Sequence, residues 1–453
     1  MRWFRPKKAL VQPLLRQHFG PVPLNSLVTA SRTFPETSRV DLQQAITRLF
    51  SDRYQGRLLG VHPEHEHFTM TMAHLVTDSH YSVFVGPLQY DEIDIGEAAP
   101  ARCLKRALWL AQGTQMPFAV LLSPSERFGQ QLGLHLELAV AASENGLELS
   151  RTFFDVLEKL IHQTGSYRGK VISLEAARTM TGHTGTIKVH KLRSVPRSDV
   201  ILPEKTLRLL ERNVNDFIEH REQLKGLGMA AKKGLLFYGP PGTGKTHTIH
   251  YLASQLPNHT TLLITAEQVG LLDHYFQLAR FLQPALVVIE DVDLIARSRE
   301  NMRSACEESL LNKLLNEMDG LREDAALLFV LTTNRPDQIE AALASRPGRI
   351  DQAIEFPLPD AEGRQKLVRL YSRGLKVPDS VMPLIVKKTD KASAAFIKEL
   401  MRRAAQYQVN QANQGDSAGS SPVLDAAHIE CALDEMLFSG GSLNVKLLGG
   451  CAE

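Results

Sequence analysis

The chain has 453 residues, 43% of them hydrophobic and 23% charged, with 52 basic against 50 acidic side chains and a formal net charge of +2. This is an ordinary globular mixture with room for two or three domains, and the even charge gives no strong signal for a nucleic-acid partner. Four scattered cysteines (Cys103, Cys306, Cys431, Cys451), with no CxxC pair, argue against structural zinc and for a reducing, cytoplasmic setting. Met1 to Lys8 is basic with two aromatics. No apolar h-region follows, so it reads as a solvated terminus rather than a secretory signal. No stretch is long and apolar enough to predict a transmembrane segment.

Residues 1–190 carry no chemical motif. Apolar spacing predicts helices over Asp41 to Phe50 and Phe153 to His162, and strands over Phe118 to Leu122 and Leu132 to Val140. The expectation is an α+β N-terminal domain that recognises a client or partner. Ser166 to Ile172 reads as a solvated turn entering a strand, with Arg168 and Lys170 exposed on it. Residues 191–358 form the second predicted domain. Strands are expected at Gly234–Tyr238, Leu262–Thr265, Leu286–Ile289, Leu327–Thr332 and Ala353–Phe356, alternating with helices. That alternation predicts an α/β fold, a parallel sheet with helices on both faces. Residues 359–453 show only helical signals, at Ala361–Tyr371, Ser393–Gln408 and Asp425–Leu437. They predict a small all-α lid with a flexible loop over 413–422. No repeat of the P-loop domain is present, so one nucleotide site per chain is expected.

The most specific signal is Gly239-Pro240-Pro241-Gly242-Thr243-Gly244-Lys245-Thr246, a full match to the phosphate-binding P-loop. An apolar strand leads in and a helix-compatible run from Lys245 to Leu256 leads out. In that setting successive main-chain N–H groups converge on a phosphate at the positive end of a helix dipole. Lys245 reaches the β- and γ-phosphates of ATP, the Thr246 hydroxyl joins a Mg2+ shell, and His247 continues the nucleotide-binding run. Hydrolysis also needs acids at the end of a neighbouring strand, and Leu286-Val287-Val288-Ile289-Glu290-Asp291 supplies them where open α/β sheets bind ligands. One carboxylate would organise the metal and the other the attacking water; the sequence leaves open which of Glu290 and Asp291 is the base. Asn334, after the next strand, is placed to sense the γ-phosphate. Arg346 and Arg349 lie on a later turn; at the far edge of the domain they would reach a neighbour's phosphates rather than their own.

These residues resemble the AAA ATPases (ATPases associated with diverse cellular activities). GPPGTGKT at 239–246, LNKLLNEMDG at 311–320, TTNRPD at 332–337 and SRPGRID at 345–351 occur in that family's order, within a region of resemblance from about residue 200 to 440. The resemblance implies that Asn334 is sensor 1, that Arg346 and Arg349 act on the adjacent subunit, and that Asp319 and Gly320 relay nucleotide state. It implies that Ser393-Ala394-Ala395 lies against adenine, so that Ala394 is a nucleotide contact. It also implies a homo-oligomeric ring, a hexamer in that family, that remodels an unidentified protein client.

Three departures stand out. The family usually has Asp then Glu, and this chain has Glu290 then Asp291; the AAA proteins that assemble the mitochondrial Rieske subunit carry the same inverted order. Ala266-Glu267-Gln268-Val269-Gly270 lacks the aromatic with which ring unfoldases grip a threaded chain. The family's Gly-Gly motif is replaced by Val200-Ile201-Leu202, expected on the adenine face. The readings to separate are a ring ATPase that remodels proteins, an ATP-dependent assembly switch or adaptor with slow hydrolysis, and a DNA-acting loader. Balanced charge counts against the last.

Overall fold

The structure, a computed structural model, describes residues 9–64, 70–77, 82–127, 130–179, 182–294, 314, 316–320, 322–337, 349–412 and 423–439. Two units divide the chain, Met1–His190 and Lys191–Glu453. In the first, an antiparallel sheet of six strands has the order β1-β8-β7-β6-β2-β3. Here β1 is Leu27–Pro35, β2 Gln55–Pro63, β3 Val83–Gly86, β6 Ala107–Gln112, β7 Pro117–Arg127 and β8 Gln130–Ala141. A separate hairpin joins β4 (Tyr90–Ile93) to β5 (Ala101–Leu104), and β9 (Val171–Thr179) pairs antiparallel with β10 (Gly182–His190).

Both faces of the six-stranded sheet are covered. Helices α1 (Val11–Phe19) and α3 (Met72–Val76) pack on Val61, Leu108, Leu121 and Ala139. Helices α2 (Arg39–Asp52) and α4 (Glu144–Thr164) meet the other face through stacked and edge-on contacts of Phe50 with Trp109, Phe118 and Phe153. A strand covered on both sides needs no polar alternation, and Ala107–Ala111 is buried at every position. This is the α+β unit expected, with more strands than apolar spacing alone picks out. The Ser166–Lys170 turn is tied down locally: the Ser166 amide donates to Asp41 (2.6 Å), and Lys170 donates to the Ile95 carbonyl (2.6 Å) and pairs with Glu97.

The second unit contains the five expected parallel strands in the order β12-β13-β14-β11-β15. They are β11 (Lys233–Tyr238), β12 (Thr260–Ile264), β13 (Ala285–Ile289), β14 (Leu327–Thr333) and β15 (Gln352–Glu355). All seven residues of β14 and all five of β13 are buried, as continuous apolar runs in a doubly covered parallel sheet must be. Helix α5 (Glu204–Glu211) packs Leu207 and Leu210 into the same core as Leu235, Phe237, Val288 and Val330. Helices α6 (Lys245–Gln255) and α7 (Leu272–Phe281) follow β11 and β12. The C-terminal helices α8 (Ala361–Tyr371), α9 (Met382–Lys388), α10 (Ala394–Ala412) and α11 (Ala426–Asp434) enclose their own core around Leu367, Ile385, Ile397, Leu400 and Ile429. The predicted loop at 413–422 lies outside the described residues.

Candidate functional site

Register puts the chemistry on one edge. β11 and β14 align Tyr238 with Thr333, and β13 and β14 align Ile289 with Leu331. Whatever follows Tyr238, Ile289 and Thr333 therefore shares the crevice beyond the carboxyl ends, where parallel sheets bind ligands. The P-loop, the acidic pair and Asn334 all follow at these points.

The P-loop turns on glycines that adopt backbone angles other residues avoid: φ is +146° at Gly239, +77° at Gly242 and +102° at Gly244. Gly242 has a second reason to lack a side chain. A Cβ there would sit 2.9 Å from both the Ala395 Cβ and the Ser393 Oγ, and the Gly242 carbonyl accepts the Ala395 amide at 3.1 Å. The small run Ser393-Ala394-Ala395 thus backs the P-loop. Ser393 Oγ accepts the Phe396 amide (3.2 Å) and caps α10.

Lys245 is 93% buried, and its ammonium donates to the carbonyls of Gly239 (2.7 Å) and Pro240 (2.9 Å). Burial lowers its pKa to about 8, against the opposing pull of Asp291 and Asp293. A desolvated ammonium resting on neutral carbonyls suits an anion such as the phosphates of ATP. Thr243 closes the turn by donating to the Pro240 carbonyl (2.9 Å).

The two acids have different surroundings. Thr246 Oγ1 donates to Glu290 Oε1 at 2.8 Å, pairing two hard oxygens of the kind that hold Mg2+ alongside phosphates. Asp291 is turned away by a left-handed backbone, φ +49°. Its amide donates to Thr332 Oγ1 (3.0 Å), and its Oδ1 accepts Asn334 Nδ2 (3.1 Å). Burial, then the charge of Asp293, raises the Asp291 pKa, while Lys245 and Asn334 oppose the shift.

Beside the P-loop a pocket of about 280 Å3 is lined by Ile201, Leu202, Thr243, Gly363, Leu367 and Ala394 among others. Ile201, Leu202 and Ala394 thus share one cavity. Val200, expected with them, points instead into the sheet core at 4% exposure, a core against which Leu202 also packs. His247 Nε2 donates to the Asp199 carbonyl (3.2 Å), and the Asp199 carboxylate takes both terminal nitrogens of Arg373 (3.0 and 2.5 Å). These residues lie far apart in sequence, and no motif signals the contact.

Arg349 is held elsewhere. Its guanidinium pairs with Asp319 and donates to Asn316 Oδ1 (3.4 Å) of its own chain. Its carbonyl lies against Gly234, where a Cβ would approach to 2.2 Å, at the amino end of the strand whose other end carries the P-loop. Five extended residues separate these ends by roughly 16 Å. Arg346 lies outside the described residues.

Residues 235–358 match the profile of the ATPase family associated with various cellular activities (AAA). The chain is similar to the proteasome-activating nucleotidase of Pyrococcus abyssi, 30% identical over 230 residues that cover 48% of this chain and 58% of the relative. The nucleotidase of Methanothermobacter thermautotrophicus is 30% identical over 236 residues, 49% of this chain and 57% of the relative. The cell division cycle protein 48 homolog of Archaeoglobus fulgidus is 31% identical over 213 residues, 45% of this chain and 29% of the relative. The chain therefore spans a little over half the length of the nucleotidases it matches.

Proposed function

We propose that this chain, whose residues 235–358 match the AAA ATPase family, hydrolyses Mg-ATP in a ring oligomer, in the cytoplasm, and uses the cycle to remodel a protein client. The observation that carries the reading is the division of labour between the two acids. Glu290, bonded to Thr246, stands on the metal side; Asp291, held by Asn334, stands where a water would be polarised. ATP bound with Mg2+ supplies the phosphoryl group. Lys245 leaves the Gly239 and Pro240 carbonyls for the phosphates, and Asp291 accepts the proton of the attacking water. Asn334 keeps that carboxylate in place. The pocket at Ile201, Leu202 and Ala394 takes the base. The Arg349 main chain lies at Gly234, roughly 16 Å of strand away from the P-loop, which favours a trans role for Arg349. Acting in trans, Arg349 would have to release Asp319.

Asp291→Asn should bind ATP with affinity within about threefold of wild type and lose at least about a hundredfold in turnover. Glu290→Gln should chiefly raise the Mg2+ concentration needed for half-maximal rate. Steady-state ATPase assays across a Mg2+ titration check both, and the reverse pattern would exchange the two roles. Lys245→Ala should bind nucleotide very weakly; unchanged turnover in that variant sinks the assignment.

One observation favours a second reading, an assembly switch or adaptor that threads no polypeptide. Residues Ala266–Leu271, where a client-gripping loop is expected, form a tight 3-10 turn running directly into α7. Gln268 Oε1 there accepts the Thr265 amide (3.1 Å) and the Tyr275 hydroxyl (3.0 Å), which folds the turn back on its own domain. Relatives named as proteasome activators support a protein client, whereas this turn supports action by assembly. Turnover stimulated by an unfolded protein favours threading; ATP-dependent association with a flat, slow rate favours the switch.

A further inference from the structure

Asp293 lies two residues past Asp291, at 4% exposure. Its Oδ1 accepts the Thr333 hydroxyl at 2.8 Å and the Asn334 main-chain amide at 3.3 Å. Thr333 is fully buried, and its Oγ1 accepts the Arg335 amide at 2.9 Å, so its single proton is directed at Asp293. From the main chain fixed in this way, the Asn334 side chain reaches Asp291 Oδ1, while the Asp291 amide bonds Thr332. Four hydrogen bonds therefore tie the end of β13 to the end of β14: Asp293 accepts the Thr333 hydroxyl and the Asn334 main-chain amide, Asp291 accepts the Asn334 side chain, and the Asp291 amide donates to Thr332. Burying a carboxylate beside a second one is costly, and the charge of Asp293 acts on both Asp291 and Lys245. A residue serving packing alone has no need of that charge.

We infer that Asp293 is a positioning residue for hydrolysis: by clamping the main chain at Asn334 and the hydroxyl at Thr333, it fixes the angle at which the Asn334 amide holds Asp291. The inference rests on the ATPase reading of the site. A displacement of about 1 Å at a reacting group costs on the order of a hundredfold in rate, so a loosened Asn334 acts on turnover and leaves nucleotide binding to the P-loop.

The test is a kinetic cycle on the full-length protein. Asp293→Ala should bind a fluorescent ATP analogue within about threefold of wild type while kcat falls at least about tenfold. Asp293→Asn retains an acceptor oxygen and should keep at least about a third of kcat. Asp293→Ala combined with Asn334→Ala should fall no further than Asn334→Ala alone, because both changes break one linkage. Should Asp293→Ala fail to fold, Thr333→Val combined with Asn334→Ala runs the same cycle. Additive losses, or an Asp293→Asn variant as impaired as Asp293→Ala, overturn the inference and leave the ATPase reading standing. A wild-type protein that turns over no ATP at all overturns both.

Discussion

Gly242 occupies a tight position in the P-loop, between an unusual backbone angle and the lid atoms of Ser393 and Ala395. An L-residue at φ +77° is strained by about 1–2 kcal/mol, and its Cβ would also press on Ala395 and Ser393 at 2.9 Å. Gly242→Ala should therefore weaken ATP binding at least about tenfold while the sheet still folds. Gly244→Ala, with a comparable angle but nothing within 4 Å of its Cβ, should lose less. Titration of both variants with a fluorescent nucleotide checks the order; equal losses would mean that the lid contact contributes nothing. At this scale much of the site was legible in the sequence, because a P-loop is a contiguous string whose spacing is its geometry. Asp293, Thr332 and Thr333 were not. Their roles depend on which neighbouring strand each faces, and that is a property of the sheet rather than of either segment.

At the scale of elements, the short helix Arg221–Gly226 and the approach to β12 meet at a buried pair. Arg221 Nη1 donates to His259 Nε2 at 3.2 Å, so that nitrogen carries no proton and the imidazole is neutral. Burial, then the charge of Arg221, lowers the His259 pKa to about 4 from its usual 6.5. Between these values the unfolded chain binds a proton that the folded one refuses. The contribution of His259 to stability is therefore complete above about pH 6.5 and lost as pH falls through 4, on the order of 3 kcal/mol in all. His259→Asn should be less stable than wild type at pH 7, with a gap that narrows as pH falls to 4.5. Urea unfolding at the two pH values measures it, and a constant gap would refute the neutral imidazole. Elements also differ in how plainly they appeared in the sequence. The strands of the parallel sheet stood out as apolar runs between turn residues. In the first unit β1 and β2 did not: β1 is mostly exposed and rich in polar residues, and only the second half of β2 is buried, so neither makes a continuous apolar run.

For the molecule as a whole, the testable quantity is how copies cooperate. The proposed ring, together with the place of Arg349 at the end of β11 opposite the P-loop, leads us to expect that one protomer completes the site of the next. Arg346→Ala should bind ATP normally and lose at least about a thousandfold in turnover, the smaller end of what an arginine supplied in trans contributes. Mixed with wild type, it should depress the rate more steeply than its mole fraction. A linear fall across the mixing series would show independent active sites. Arg349→Ala should in addition free Asp319 from its partner. Strand order carries one more consequence, for synthesis of the chain. The strand that ends in the P-loop and the strand that ends in the acids are not neighbours; β14 lies between them and is translated after both. Until the ribosome has released residue 333, a gap one strand wide separates the two halves of the crevice. A nascent chain can therefore display its P-loop for about ninety codons before the carboxylates that would act on a triphosphate are locked beside it.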